Sequence, residues 1–188
     1  MRLYSYINIM ITGFSNTYIV ANEKLNEAII IDPGKITPRI IEKLESKNFK
    51  IQGILITHNH ETHVQGLRTL NKIYSTNIYA ADYEIAETKT VVLNGDGKMR
   101  LAGMTITYYS LPGHSADSMI YKIGNMIFTG DAIFAGTLGT TNSSYSKHVL
   151  KSNIEAKIFS QTDTTILLPS HGPPTTVKAE KFFNLELS

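Results

Sequence analysis

The chain contains no cysteine, which excludes disulfides, thiolate nucleophiles and Cys-ligated zinc and fits a reducing compartment. No stretch approaches the roughly 20 consecutive apolar residues of a membrane-spanning helix. The first ten residues alternate apolar and polar side chains, without a continuous apolar segment or a small-residue cleavage site. A signal peptide is therefore not expected, and a cytoplasmic location is. Basic residues (18) nearly balance acidic ones (16), with no basic cluster, so neither nucleic acid nor a membrane is an expected partner. The remaining profile is globular: 188 residues, 42% apolar and 18% charged, read as one domain over 1–188 able to bury its own core.

The apolar pattern predicts strands at residues 3–11 and 16–21 around a connection at 12–15, and a third at 27–31, stopped by Asp32-Pro33-Gly34. Thr37 and Pro38 open a helix as cap and first helical residue, and Ile40, Ile41 and Leu44 repeat at helical spacing. A strand at 51–56, a helix at 64–74, a strand at 76–80 and a short helix at 82–89 follow. After a turn at 94–97 come strands at 104–110, 118–123 and 126–129, the last two joined by a tight turn at Gly124-Asn125. A long helix at 146–159, a strand at 164–168 and a helix at 176–183 complete the chain. Hairpins in both halves, with a helix after each β block, predict an α/β fold of two sheets with helices outside.

The chemistry concentrates where the apolar run Ile54-Leu55-Ile56 empties into His58, His60 and His63. Two histidines spaced i and i+2 in extended chain point the same way, so His58 and His60 can converge on one ion. His63, three residues further on, can face a second nearby point. Three later segments, 111–115, 128–131 and 168–174, each put one more donor at a strand end beside a loop: His114, Asp131 and His171. Of the six histidines, only His148 lies outside this pattern.

In this order, T-H-N-H-E-T-H-x-x-G, L-P-G-H-S, T-G-D and S-H-G-P-P-T-T resemble the metallo-β-lactamase superfamily. The ending from His171 is most similar to its small single-domain hydrolases related to type II glyoxalase, the hydroxyacylglutathione hydrolases. The resemblance implies a four-layer αβ/βα sandwich of two mixed sheets flanked by helices, with a metal site at one edge. It implies that His58, His60 and His114 hold a first metal, that His63 and His171 hold a second, and that Asp131 bridges the two. Imidazole and carboxylate suit zinc, with iron or manganese as alternatives. The implied reaction is hydrolysis of a small ester-like or thioester substrate by a metal-bound water or hydroxide, its pKa lowered to about 7. Asp32 is either a turn residue or a partner that orients a ligand histidine.

One position departs from the family motif H-x-H-x-D-H: Thr62 stands where the aspartate belongs. In the family that aspartate ligates the second metal and helps orient the attacking water, which makes Thr62, with Asp131, a candidate catalytic position. A neutral hydroxyl is a far poorer ligand than a carboxylate. One tightly bound ion, a weak second site and reduced activity are therefore expected, with the adjacent Glu61 pointing away. Residues 135–142 carry no basic side chain where the family's glutathione thioesterases have an arginine, and only 17 residues follow His171, too few for the C-terminal helical domain of type II glyoxalases. Both features count against glutathione recognition. Lys147, His148 and Lys151 either supply basic groups near the pocket or form a solvated helix start. Two alternatives stand beside the hydrolase: a mononuclear non-haem iron enzyme resembling the superfamily's sulfur dioxygenases, and a non-catalytic metal-binding descendant of the fold. A small molecule is the expected partner, and self-association is left open.

Overall fold

The computed structural model describes residues 1–10 and 13–187, so Ile11 at the end of the first expected strand and Thr12 of the expected connection lie outside the described residues. The first half supplies β1 (Arg2–Met10), β2 (Gly13–Asn22), β3 (Glu27–Ile31), α1 (Pro38–Ser46), β4 (Lys50–Leu55), α2 (Glu61–Val64), α3 (Leu67–Ile73) and β5 (Ile78–Ala80). Next come the short strands β6 (Glu84–Ile85), β7 (Thr88–Lys89) and β8 (Val91–Val92), then β9 (Gly97–Leu101), β10 (Met104–Ser110), β11 (Met119–Ile123) and β12 (Met126–Gly130). The chain ends with β13 (Ile133–Phe134), β14 (Thr137–Leu138), α4 (Ser144–Ile154) running into a π-helical turn (Glu155–Phe159), β15 (Ile166–Pro169), β16 (Thr175–Thr176) and α5 (Val177–Phe183).

Among the described residues these strands build two six-stranded sheets, ordered β1-β2-β3-β4-β5-β8 and β16-β15-β12-β11-β10-β9. The first is antiparallel through β3 and parallel from there to β8, because α1, α2–α3 and the β6–β7 hairpin in turn carry the chain between the later strands. The second is antiparallel except where β12 lies parallel to β15.

Alternation along each strand assigns the layers. Tyr18, Val20, Ile29 and Ile31 face Tyr121, Phe128 and Leu168 of the other sheet in an inter-sheet core. Their neighbours Ile19, Ala21, Ala28 and Ile30 point outward onto Ile40 and Leu44 of α1 and Leu67 and Leu70 of α3. On the far side, Ile120, Ile127 and Leu167 meet Leu150, Ile154, Ile158 and Val177. The result is helix, sheet, sheet, helix, the four-layer sandwich that the resemblance implies. Fully burying one such Ile or Leu is worth roughly 1.5–3 kcal/mol.

Three expectations are corrected. Residues 82–89 form the hairpin β6–β7 and not a helix, with Ala86 and Glu87 both at positive φ in its turn. The helix expected over 64–74 begins at Glu61 and is broken before Leu67. At that break Gly66 donates to the Pro33 carbonyl at 2.8 Å, and a Cβ at Gly66 would collide with the same oxygen. The strand β9 was not predicted. It pairs with β10 through a turn in which Ala102 and Gly103 both take positive φ. Among the described residues no helix is long and apolar enough to cross a membrane.

Candidate metal centre

All six expected donors arrive at the same edge of the sandwich. His58, His60 and His63 follow β4, with His63 on the first turn of α2; His114 follows β10, Asp131 follows β12 and His171 follows β15. Parallel β4 and β15 and their neighbours thus aim strand ends and loops from both sheets at one place.

The donors form two groups that share Asp131. One contains His58, His60, His114 and Asp131, the other His63, Asp131 and His171, and within each group the donor atoms lie within 4.8 Å of one another. His58 Nε2 is 2.8 Å from His60 Nδ1, which is 3.2 Å from His114 Nε2. Asp131 Oδ2 lies 3.8 Å from His58 Nε2, 3.7 Å from His114 Nε2 and 3.4 Å from His171 Nε2. Donors held about 2.0–2.2 Å from one tetrahedral ion stand about 3.3–3.6 Å apart, so the first group fits such an ion.

In the second group, His63 Nε2 faces Asp131 Oδ1 at 3.5 Å, and both atoms are buried without a hydrogen-bond partner among the described residues. Two orphaned polar atoms in a buried pocket carry a desolvation cost that a cation between them would remove. Thr62 is half-buried on α2, and its carbonyl accepts the Ser15 hydroxyl at 2.7 Å. Its side chain adds no charge to the group. Glu61 is exposed, as expected.

The histidines are aimed from behind. Asp32, fully buried and held at φ +49, accepts Thr57 N at 2.8 Å, Thr57 Oγ1 at 2.7 Å, Ser170 Oγ at 2.9 Å and His63 Nδ1 at 3.0 Å. Its carboxylate therefore accepts the Nδ1–H of His63 and aims Nε2 towards Asp131. Asp32 does both things expected of it, contacting His63 and closing the turn through Gly34 N, which donates to its carbonyl at 2.8 Å. His114 Nδ1 is fixed in the same way by the Thr140 carbonyl at 2.8 Å. Asp117 accepts the backbone N–H of Asn59 at 2.7 Å and so pins the residue between His58 and His60. Sequence reasoning missed Thr57, Asp117, Thr140 and Ser170. Thr57 and Ser170 each directly precede a ligand histidine, the one signal available for them; Asp117 and Thr140 gave none. Of the helix-start basic residues, Lys147 pairs with Glu186 at 2.6 Å and His148 is exposed.

Burial and the neighbouring His63 push the His58 imidazole down to about 3. Burial would also lower His63, but Asp32 and Asp131 outweigh it and hold it up at about 10. Burial would raise Asp131, yet the facing His171 and His63 imidazoles, 3.4 and 3.5 Å away, keep it far below the usual carboxylate range.

In metal-free protein these shifts oppose each other across the unfolded histidine value of about 6.5. His58 stays neutral when folded but takes a proton near 6.5 when unfolded, so stability falls as pH drops below that point. His63 keeps its proton when folded, so its contribution is complete below 6.5 and is lost as pH rises towards 10. Stability of chelator-treated protein is expected to peak near pH 6.5, which urea melts at about pH 5, 6.5 and 9 will check.

With this geometry in hand, comparison with known proteins places the chain. The sequence model of the metallo-beta-lactamase superfamily matches residues 10–101, the span that holds Asp32, His58, His60 and His63. Over that span the chain is similar to the metallo-β-lactamase superfamily. The chain is 28% identical over 160 residues to an uncharacterised protein of Treponema pallidum (strain Nichols), covering 85% of each chain. It is 27% identical over 168 residues to the hydroxyacylglutathione hydrolase of Chromohalobacter salexigens, covering 87% of this chain and 65% of that one. It thus spans just under two thirds of that enzyme's length. The crystal structure of the BLEG-1 B3 metallo-beta-lactamase superposes over the whole of both chains with a TM-score of 0.88 at 24% identity, a likeness of fold.

Proposed function

We propose that the chain is a metal-dependent hydrolase of a small ester-like or thioester substrate, with one ion held tightly and a second held weakly. The observation that carries this reading is the pair of buried, partnerless atoms, His63 Nε2 and Asp131 Oδ1, set between two groups of converging donors. His58, His60, His114 and Asp131 would hold the tight ion, and His63, Asp131 and His171 the weak one. Ions there, zinc before iron or manganese, would supply an acidified water as nucleophile and polarise the scissile carbonyl.

The chain's own residues account for the rest. Asp32 and the Thr140 carbonyl fix two imidazoles in the tautomers that leave Nε2 free. Asp131, with its pKa held low, stays ionised across the working range and faces every histidine of both groups except His60 within 4 Å. Beside His114 a cavity of about 330 Å³, lined among others by Ser115, Asn142, Tyr145 and Ser146, offers hydroxyl and amide groups for a polar part of the substrate. None of these four is a cation, so a carboxylate-rich leaving group such as glutathione finds no charged partner among them.

Thr62 sets the expected limit on activity, since the second group keeps two neutral imidazoles and a share of one carboxylate. Purified protein is expected to retain about one ion per chain after dialysis and to hydrolyse simple thioesters slowly. Thr62→Asp should tighten the second site by about tenfold or more and raise the metal count towards two. Elemental analysis and a thioester assay read both. Two tightly held ions in the unaltered protein would contradict the role given to Thr62, and a metal-loaded sample inert towards esters, thioesters, lactones and lactams would overturn the hydrolase reading.

A further inference from the structure

On the His171 side of the centre a recess of about 480 Å³ opens between β1, β2 and the loop after β15. Leu3 and Ile7 of β1, Phe14 of β2, Leu168 of β15, and Pro173 and Pro174 form its apolar walls, and among the described residues no charged side chain lines it. The two buried polar side chains that reach it, Asn16 and Tyr18, have their donors committed elsewhere. Asn16 Nδ2 donates to the carbonyls of Pro169 at 3.0 Å and Gly172 at 2.9 Å, and Tyr18 Oη donates to Pro169 at 2.6 Å. Ser5 is exposed at the rim. A polar or ionic ligand would lose its water in this recess without replacement, whereas an alkyl chain gains by burial.

Phe14 is the wall that the recess shares with the candidate metal centre. Its ring meets the His171 ring edge-on, with centroids 5.4 Å apart and an interplanar angle of 83°, while the same ring lines the recess. The hydrogen bond from Asn16 to the Gly172 carbonyl ties the loop that carries His171 to the same strand. Ile7 and Phe14 are left 73% and 48% exposed, apolar surface that a bound chain would cover.

We propose that this recess binds the alkyl arm of the acyl group, placing the scissile carbonyl at the histidines and the leaving group towards the cavity beside His114. The proposal rests on the hydrolase reading and narrows it to medium-chain acyl esters or thioesters.

The test uses the metal-loaded, full-length protein with N-acetylcysteamine thioesters running from acetyl to decanoyl. Each added methylene is expected to raise kcat/KM about fourfold until the recess is full, mainly through KM. Ser5→Phe, which puts a ring at the rim, and Ile7→Lys, which puts a charge there, should each flatten that series. A measurement independent of turnover accompanies the assay: methyl NMR with 1-octanol, which should shift the Leu3, Ile7 and Leu168 methyls selectively. A flat series in the unaltered protein, or a rising series without those methyl shifts, overturns the proposal. Methyl shifts without any hydrolysis would sink the hydrolase reading while upholding the recess as an alkyl-chain site. Loss of both sinks the two together.

Discussion

Asp131→Asn is expected to empty the centre while leaving the fold in place. Asparagine matches aspartate in shape, so the largely buried position is refilled without a cavity. What changes is charge. Asp131 is the single anion in either donor group, and its oxygens lie 3.4–3.8 Å from four imidazole nitrogens. Removing a hydrogen-bonded partner behind a ligand typically costs about 10–100-fold in metal affinity, and loss of a shared direct ligand should exceed about 100-fold. Both groups should weaken together, because both use the same carboxylate. Competition against a graded series of chelators reads the affinity, and circular dichroism checks the fold. If the variant kept its metal with unchanged affinity, Asp131 would not be a ligand.

Asp32→Ala should produce the largest loss of stability. Its carboxylate is the acceptor for two hydroxyls, one backbone N–H and one imidazole N–H in a fully buried site. The Thr57 and Ser170 hydroxyls can rotate to other partners, but Thr57 N and His63 Nδ1 cannot. Two buried donors left unsatisfied cost about 2–6 kcal/mol, a large share of the roughly 5–15 kcal/mol that holds a domain folded. Alanine is also strained at φ +49, a conformation that asparagine tolerates. Asp32→Asn, which keeps one acceptor oxygen and suits that backbone, should therefore lose clearly less than alanine. Urea melts of metal-free protein will separate the three forms. Equal losses in the two variants would mean that the charge of the carboxylate, and not its shape or a single acceptor oxygen, sustains the site.

How far the sequence discloses this site follows from where its information is local. Each of the six expected donors directly follows, or lies a few residues past, a run of apolar residues that can only be a strand. The convergence at one edge was therefore readable once two sheets were inferred. Of the orienting groups only Asp32 was anticipated, because the partners of the others are remote in sequence: Ser170 is 138 residues from Asp32, and Asp117 is 58 residues from Asn59.

The misread helix at 82–89 has a different cause. Its Ala and Glu residues favour helix locally, but tertiary contacts decide otherwise. Arg68 of α3 meets Glu87 at 2.8 Å, Asn71 donates to Thr88 Oγ1 at 2.8 Å, and Ile85 is buried beneath them. The turn carries Ala-Glu where a two-residue hairpin usually has Asn-Gly, so its positive φ values left no mark in the sequence. The break at Gly66 was equally silent, since one glycine in a helical pattern reads as a tolerated lapse until the Pro33 carbonyl is seen against it.

The donors come from both sheets: three imidazoles from the strand β4 side, the other two and the carboxylate from β10, β12 and β15. An ion seated among them acts as a rivet through two plates. It can be gripped only after the halves have docked, so by mass action it rewards the assembled sandwich and nothing less. Release of that rivet should loosen the seam between the plates before either plate frays, which makes metal supply a control on how long the molecule survives as well as on what it catalyses.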